Sequence, residues 1–274
     1  MPFTLAHPAA ILPLRGIPPL RGITVLRTAP LIIGAMIPDT PYYLPASVIR
    51  VVAGAHRIPD THTLEGTLTT CLVLGYLVLA GIFALRRPLT ALLSARSRSL
   101  CLGALAPFGR RPIEWALAAV AIVLGAWTHL LWDSFTHVDG WMVHRFAVLS
   151  VPVTIGSYQG TVCHLLQYLS SALGLAVMAL WYSRLRPPPA ALASTDDARS
   201  PAAPVLLLIA GAAILIGGVQ ATTFFDRSAN VYRTLNLFLT RGVAWFALLY
   251  LVAGAIVVRQ HALDTVSRSA SELS

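Results

Sequence analysis

Four residues able to bind a cation crowd into THLLWDSFTHVDGW, residues 128–141: His129, Asp133, His137 and Asp139. His129, Asp133 and His137 are spaced at i, i+4 and i+8, so on a helix they drift by only about 40° per step and share one face. Imidazole nitrogen and carboxylate oxygen are good ligands for zinc and related divalent ions. The same residue types recur upstream. MIPDT carries Asp39 just past a short apolar run, RIPDTHTLE carries His62, and TLAHP carries His7. Each admits a plainer reading: an interfacial cap for HLLWDSFTH, a Pro-Asp turn for Asp39, a polar helix start for His62. A divalent ion held by such groups lowers the pKa of bound water towards about 7 and supplies hydroxide at neutral pH. Asp133 or Asp139 could orient or deprotonate that water, which makes them the candidate catalytic residues. Arg57, and Arg145 as second choice, could neutralise a substrate phosphate by bidentate contact, or serve only as headgroup anchors.

The elements that carry these residues are set by composition. The chain has 274 residues, a mean hydropathy of +0.71 and 11% charged residues. Soluble domains carry about 25% charge, so the composition describes an integral membrane protein. The net charge of +9 comes wholly from arginine, since there is no lysine. No basic run interleaved with aromatics suggests a nucleic-acid partner. Cys71, Cys101 and Cys163 are scattered, form no CxxC pair, and read as buried small apolar residues.

A helix needs about 20 mostly apolar residues to span the hydrocarbon layer. Five windows qualify: 67–85, 113–132, 160–182, 203–224 and 235–258. A shorter apolar piece at 30–37, closed by Pro38 and Pro41, reads as an interfacial or re-entrant helix. The expected fold is therefore all-α: a polytopic integral membrane protein in a single membrane domain, with the ligand-rich half at 1–150. A Pro-rich linker at 183–202 precedes a two-helix anchor at 203–258. The segment 86–112 holds six arginines and no acid, and the linker holds Arg184, Arg186 and Arg199. The positive-inside rule places both in the cytoplasm of a multi-pass plasma (inner) membrane protein. Asp39, His62, His129, Asp133 and His137 then share the extracytoplasmic face. The first sixty residues follow them outside, against the preference of Arg15, Arg21 and Arg27 for the cytoplasm.

MPFTLAHPAAILPLR, IIGAMIPDTPYYL, the histidine before the first span and GAWTHLLWDSFTHVDGWMV resemble a family of bacterial membrane proteins known as domain of unknown function 4184. More distantly, the order His, Pro-Asp, His, HxxxD and a further His is similar to YdjM-type membrane-bound metal-dependent hydrolases, and behind them to zinc-dependent phospholipase C and P1 nuclease. That resemblance implies His7, Asp39, His62, His129, Asp133 and His137 as ligands of a divalent metal, zinc by type, and attack of activated water on a phosphoester. A lipid or lipid-linked substrate from the surrounding membrane suits that position. No HxxxE follows the block; CHLLQY offers His164 and Gln167 without a carboxylate. The resemblance therefore implies one or two ions rather than three.

Other chemistries lack their motifs: there is no HExxH and no GxSxG. Two further classes remain open. In a b-type cytochrome His129 and His164 would be axial ligands of one haem. In a transporter or structural partner the polar cluster would be a binding or packing site, although no internal repeat accompanies it.

Overall fold

The computed structural model describes residues 4–16, 27–44, 60–156, 158–187, 202–223 and 231–272. Among them, five helices are long and apolar enough to cross a membrane. The first, Leu64–Ala84 (α2), starts three residues before the expected window. Its cap is Thr63, whose Oγ1 accepts the Gly66 N–H at 3.0 Å. The second, Ile113–Thr136 (α3), runs one turn past its expected end and takes Asp133 into the helix. Val162–Arg184 (α4), Ala202–Thr223 (α5) and Val231–Glu272 (α6) complete the set. In α6 the helix outruns its apolar stretch, Leu237–Thr265, at both ends.

Two compact units divide the chain. The first comprises Met1–Pro41, Ser47–Ala80 and Ala106–Leu185. Here the short apolar helix Thr28–Met36 (α1) lies along α3 and buries Pro30, Leu31, Ile33, Gly34 and Ala35. Gly34 and Gly125 let the two backbones touch: a Cβ on Gly34 would sit 2.8 Å from Ile122 Cα, and one on Gly125 2.7 Å from the Ala35 nitrogen. At one end of the pair Arg27 grips Glu114 with both arms, Nε at 2.9 Å and Nη2 at 2.7 Å. At the other end the Ala35 carbonyl meets His129. α1 and α3 are therefore parallel. A 3-10 turn, Thr4–Ile11, packs beside them, with Ile11 joining Leu31, Ala35 and Ala121 in one apolar cluster. Between α3 and α4 lie the short helix Trp141–Arg145 and a hairpin of Pro152–Ile155 (β1) and Tyr158–Thr161 (β2), turned by Gly156 at φ +58°.

The second unit comprises Tyr42–Ala46, Gly81–Leu105 and Arg186–Ser274. α5 and α6 pair at Gly217 and Gly242, where a Cβ on Gly217 would lie 2.9 Å from the Gly242 nitrogen. Tyr250 on α6 donates to the Leu89 carbonyl at 3.0 Å. Cys71 and Cys163 are buried as expected, whereas Cys101 is exposed on the helix Ala95–Leu105, so the expectation of burial fails there.

Candidate metal centre

Three stretches of chain far apart in sequence meet at the C-terminal end of α3. His7 arrives from the 3-10 turn, Asp39 from the turn Ile37–Asp39 that follows α1, and His62 from the turn before α2. Asp39, His62 and His129 are each oriented by a neighbour. Thr4 Oγ1 donates to Asp39 Oδ2 at 2.6 Å. Thr61 Oγ1 donates to the Pro38 carbonyl at 2.8 Å and lies 3.2 Å from His62 Nδ1, so it can accept that proton. His129 Nδ1 sits 2.9 Å from the Ala35 carbonyl. A carbonyl only accepts, so Nδ1 carries a proton, and in the neutral ring the Nε2 lone pair points into the cluster. Fixing the tautomer through the far nitrogen is how proteins orient a metal-binding histidine.

The convergent atoms are close. His129 Nε2 lies 3.2 Å from Asp133 Oδ2 and 3.7 Å from Asp39 Oδ1. His62 Nε2 lies 3.8 Å from Asp133 Oδ2 and 3.5 Å from Asp39 Oδ1. Zinc bonds of 2.0–2.1 Å in a tetrahedron separate neighbouring ligand atoms by about 3.3 Å, close to these spacings. His7 Nε2 faces the other oxygen of each carboxylate, 3.6 Å from Asp133 Oδ1 and 4.0 Å from Asp39 Oδ2. The His7 ring stacks on His129 with centroids 3.8 Å apart. Two sets of three ligand atoms each fall within 4.8 Å: His7, His129 and Asp133, and Asp39, His62 and His129.

Burial makes the arrangement costly without a cation. His7 Nδ1 and Nε2, His129 Nε2 and Asp133 Oδ1 are buried with no hydrogen-bond partner among the described residues. Leaving such an atom unpaired costs about 1–3 kcal/mol. A divalent ion among them would satisfy both Nε2 atoms and Asp133 Oδ1, so the donor set fits a metal. The protonation states also suit one. Burial, reinforced by neighbouring His129, pushes the His7 imidazole down to about 4 against the weaker pull of Asp133 and Asp39. Burial alone would raise Asp39, but the hydrogen bond from His62, the nearby His129 and the Thr4 hydroxyl together hold it down at about 2. Neutral imidazole and ionised carboxylate are the ligating forms.

The expected site residues do not all take part. His137 is not on a continuing helix: α3 ends at Thr136, and His137 caps it in extended conformation at φ −112°, ψ 142°. Its Nδ1 lies 3.3 Å from the Asp133 carbonyl and 3.6 Å from Asp133 Oδ1, at the rim of the cluster and outside both ligand sets. Asp139 is exposed in the turn beyond, and Arg145 is exposed at the end of its short helix; neither joins the cluster. Arg57 lies outside the described residues. His164 Nδ1 lies 3.2 Å from Thr161 Oγ1, while the His129 ring stacks on His7 and places Nε2 3.2 Å from Asp133 Oδ2.

The family described as a domain of unknown function, DUF4184, matches residues 1–258. The chain belongs to that family. No curated protein and no solved structure matches it. The DUF4184 match spans every ligand-bearing segment and ends within α6. Within this DUF4184 chain, sequence reasoning missed Thr4, Thr61 and the Ala35 carbonyl as orienting groups. The two threonines were legible in principle, since TLAHP and PDTH each put a hydroxyl near a candidate ligand. The carbonyl was not, because any residue supplies one. Arg27 was read as a misplaced charge. It reaches the Glu114 end of α3, next to the arginines that precede that helix, while His7 lies at the opposite end.

Proposed function

We propose that this DUF4184 protein is a metal-dependent hydrolase of the membrane, acting on a phosphoester or a lipid-linked substrate. The observation that carries the reading is the set of buried, unpartnered ligand atoms on His7, His129 and Asp133, closed by Asp39 and His62. The order of these residues, similar to that of YdjM-type hydrolases, points the same way. His7, Asp39, His62, His129 and Asp133 would hold one or two divalent ions, zinc by ligand type. Such an ion supplies a water whose pKa falls towards about 7.

The chain's own groups do the rest. Asp133 presents Oδ1 to His7 and His137 at 3.6 Å each and Oδ2 to His129 at 3.2 Å, so the oxygen it does not give to an ion would take a proton from the attacking water. His137, half-buried at the rim, can relay that proton outward. Asp139 and Arg145 are exposed beyond the cluster and have no assigned step. The arginine-rich loop before α3 belongs in the cytoplasm by the positive-inside rule, so the site faces the extracytoplasmic side of the plasma membrane.

The test is elemental analysis of detergent-purified protein, wild type beside His129→Ala and Asp133→Ala, followed by hydrolysis of phosphomonoester, phosphodiester and phospholipid probes. Wild type should carry at least about one divalent ion per chain and each variant should lose most of it. Equal metal content in all three proteins would remove the physical basis for hydrolysis. Full metal loading with no turnover of any probe would leave a metal-binding membrane protein of another kind, and would sink the hydrolase reading alone.

A further inference from the structure

The connection between α3 and α4 is unlike a water-exposed loop. From Phe146 to Thr161 it contains no charged residue. Its large apolar side chains point outward: Trp141 is 67% exposed, Phe146 50%, Val148 63% and Ile155 59%. The inward side is already filled, with Val143, Leu149 and Cys163 forming a closed apolar cluster. The exposed residues therefore cannot turn in to complete a core. None belongs to a membrane-crossing helix, since α3 ends at Thr136 and α4 starts at Val162.

The apolar surface is continuous in the chain with that of the two spans it joins. Leu131 on the last turns of α3 is 54% exposed and Leu169 on the early turns of α4 is 58% exposed. Those positions face hydrocarbon in any helix that crosses a bilayer. Exposed Trp141 and Arg145 occur where such a surface would reach the headgroups, the place amphipathic aromatics and snorkelling arginines prefer. Pairing of β1 with β2 satisfies the facing backbone groups, while the outer edge of each strand still needs water or headgroups, which holds such a hairpin at the interface and out of the hydrocarbon centre.

The geometry points to a membrane-surface hairpin: residues 146–155 lie in the lipid leaflet, with Phe146, Val148 and Ile155 immersed between the headgroups and the upper acyl chains. Interfacial elements of this kind sink about 5–10 Å. A protein partner covering the same patch is the competing occupant. Continuity with the lipid-facing helices and the absence of any charge to set a docking register favour lipid.

The experiment uses the full-length chain in vesicles of phosphatidylcholine and phosphatidylglycerol, with exposed Cys101 replaced by serine. A single cysteine at Val148, Ile155 or Asp139 carries an environment-sensitive NBD fluorophore. Asp139 is the water-exposed reference. At Val148 and Ile155, quenching by aqueous iodide should fall at least about fivefold below the Asp139 value, while shallow spin-labelled lipid quenches strongly. Iodide quenching equal at all three positions would overturn the proposal. So would protection from iodide without quenching by the spin-labelled lipid, which would mean that protein covers the patch. Two probe sites guard against one substitution failing to fold, since both side chains are solvent-facing.

Discussion

Replacing Gly34 by alanine tests how the site is aligned. The added Cβ would lie 2.8 Å from both the carbonyl carbon and the Cα of Ile122, where carbon atoms ordinarily sit about 3.5–4.0 Å apart. These are backbone atoms inside a helix and cannot swing aside. α1 must therefore back off from α3 by roughly 0.7–1.2 Å. The Ala35 carbonyl moves with α1, and its 2.9 Å bond to His129 Nδ1 would open to about 3.6–4.1 Å, beyond hydrogen-bond range. Asp39, three residues past the end of α1, is carried away from His129 and His62 by a similar distance. Overpacking of this kind costs about 1–3 kcal/mol of stability, and loss of an orienting partner costs about 10–100-fold in metal affinity. The control is Gly81→Ala, because a Cβ there meets nothing within 4 Å. Zinc titration against a competing chelator, with thermal unfolding in detergent, reads both effects. Gly34→Ala should bind at least about tenfold more weakly and melt lower, while Gly81→Ala stays at wild type or melts slightly higher. Unchanged affinity in Gly34→Ala would refute the claim that α1 sets the ligand geometry.

Thr4→Val keeps the volume of its side chain but removes the 2.6 Å bond to buried Asp39 Oδ2, so metal affinity should drop about 10–100-fold and thermal unfolding should show a loss of about 1–3 kcal/mol. Arg27→Ala strands buried Glu114 without its bidentate partner and should destabilise the protein by about 3–5 kcal/mol, whereas the double change Arg27→Met with Glu114→Leu should recover most of that loss, both read by thermal unfolding. The metal-free protein should lose stability as pH falls below 6.5. The unfolded chain protonates His7 at 6.5 and the native state refuses the proton until about 4, so stability is full above 6.5 and declines between those values, by on the order of 2 kcal/mol at pH 5. Asp39, held at about 2, adds its own loss only below its ordinary value of 3.8. His7→Phe should abolish the upper part of that decline.

The five spans were legible because bilayer thickness imposes a length of apolar sequence that local irregularity does not hide. Their ends were less legible. The window for α3 was closed at Trp132 because Asp133 looked like the start of a loop, yet the helix carries it inward where imidazoles meet it. The four-residue spacing correctly put His129 and Asp133 on one face, and misled at His137, since spacing says nothing about where hydrogen bonding stops. His7, Asp39 and His62 could be nominated by residue type. That they converge could not be read from periodicity, since it depends on long-range packing: Gly34 against Ile122, Gly125 against Ala35, and Ala6 against Gly174. Arg57 and Arg145 show the limit of charge as a guide, since a phosphate-binding arginine and a headgroup anchor look identical in sequence.

Charge balance narrows what the centre can hold. Asp39 is ionised and His7 neutral at pH 7. The His129 ring donates from Nδ1 to a carbonyl, which leaves Nε2 as its ligating atom when the ring is neutral. Counted in the forms that bind a metal, two carboxylates and neutral imidazoles, the ligand set carries two negative charges. Uncompensated charge in so buried a setting costs several kcal/mol, and Asp133 Oδ1 is buried without a hydrogen-bond partner among the described residues. One divalent cation brings the sum to zero. A second would leave an excess of two positive charges, which only further anions can balance. His62 and His137, at 28% and 30% side-chain exposure, are the cluster's open side. An incoming anionic group such as a phosphoester would arrive there, between the carboxylates' outer oxygens and the rim. The same electrostatics that favour one resident ion in the resting protein therefore favour a second only together with an anionic substrate, so zinc stoichiometry should rise from about one towards two when a non-hydrolysable phosphonate is added.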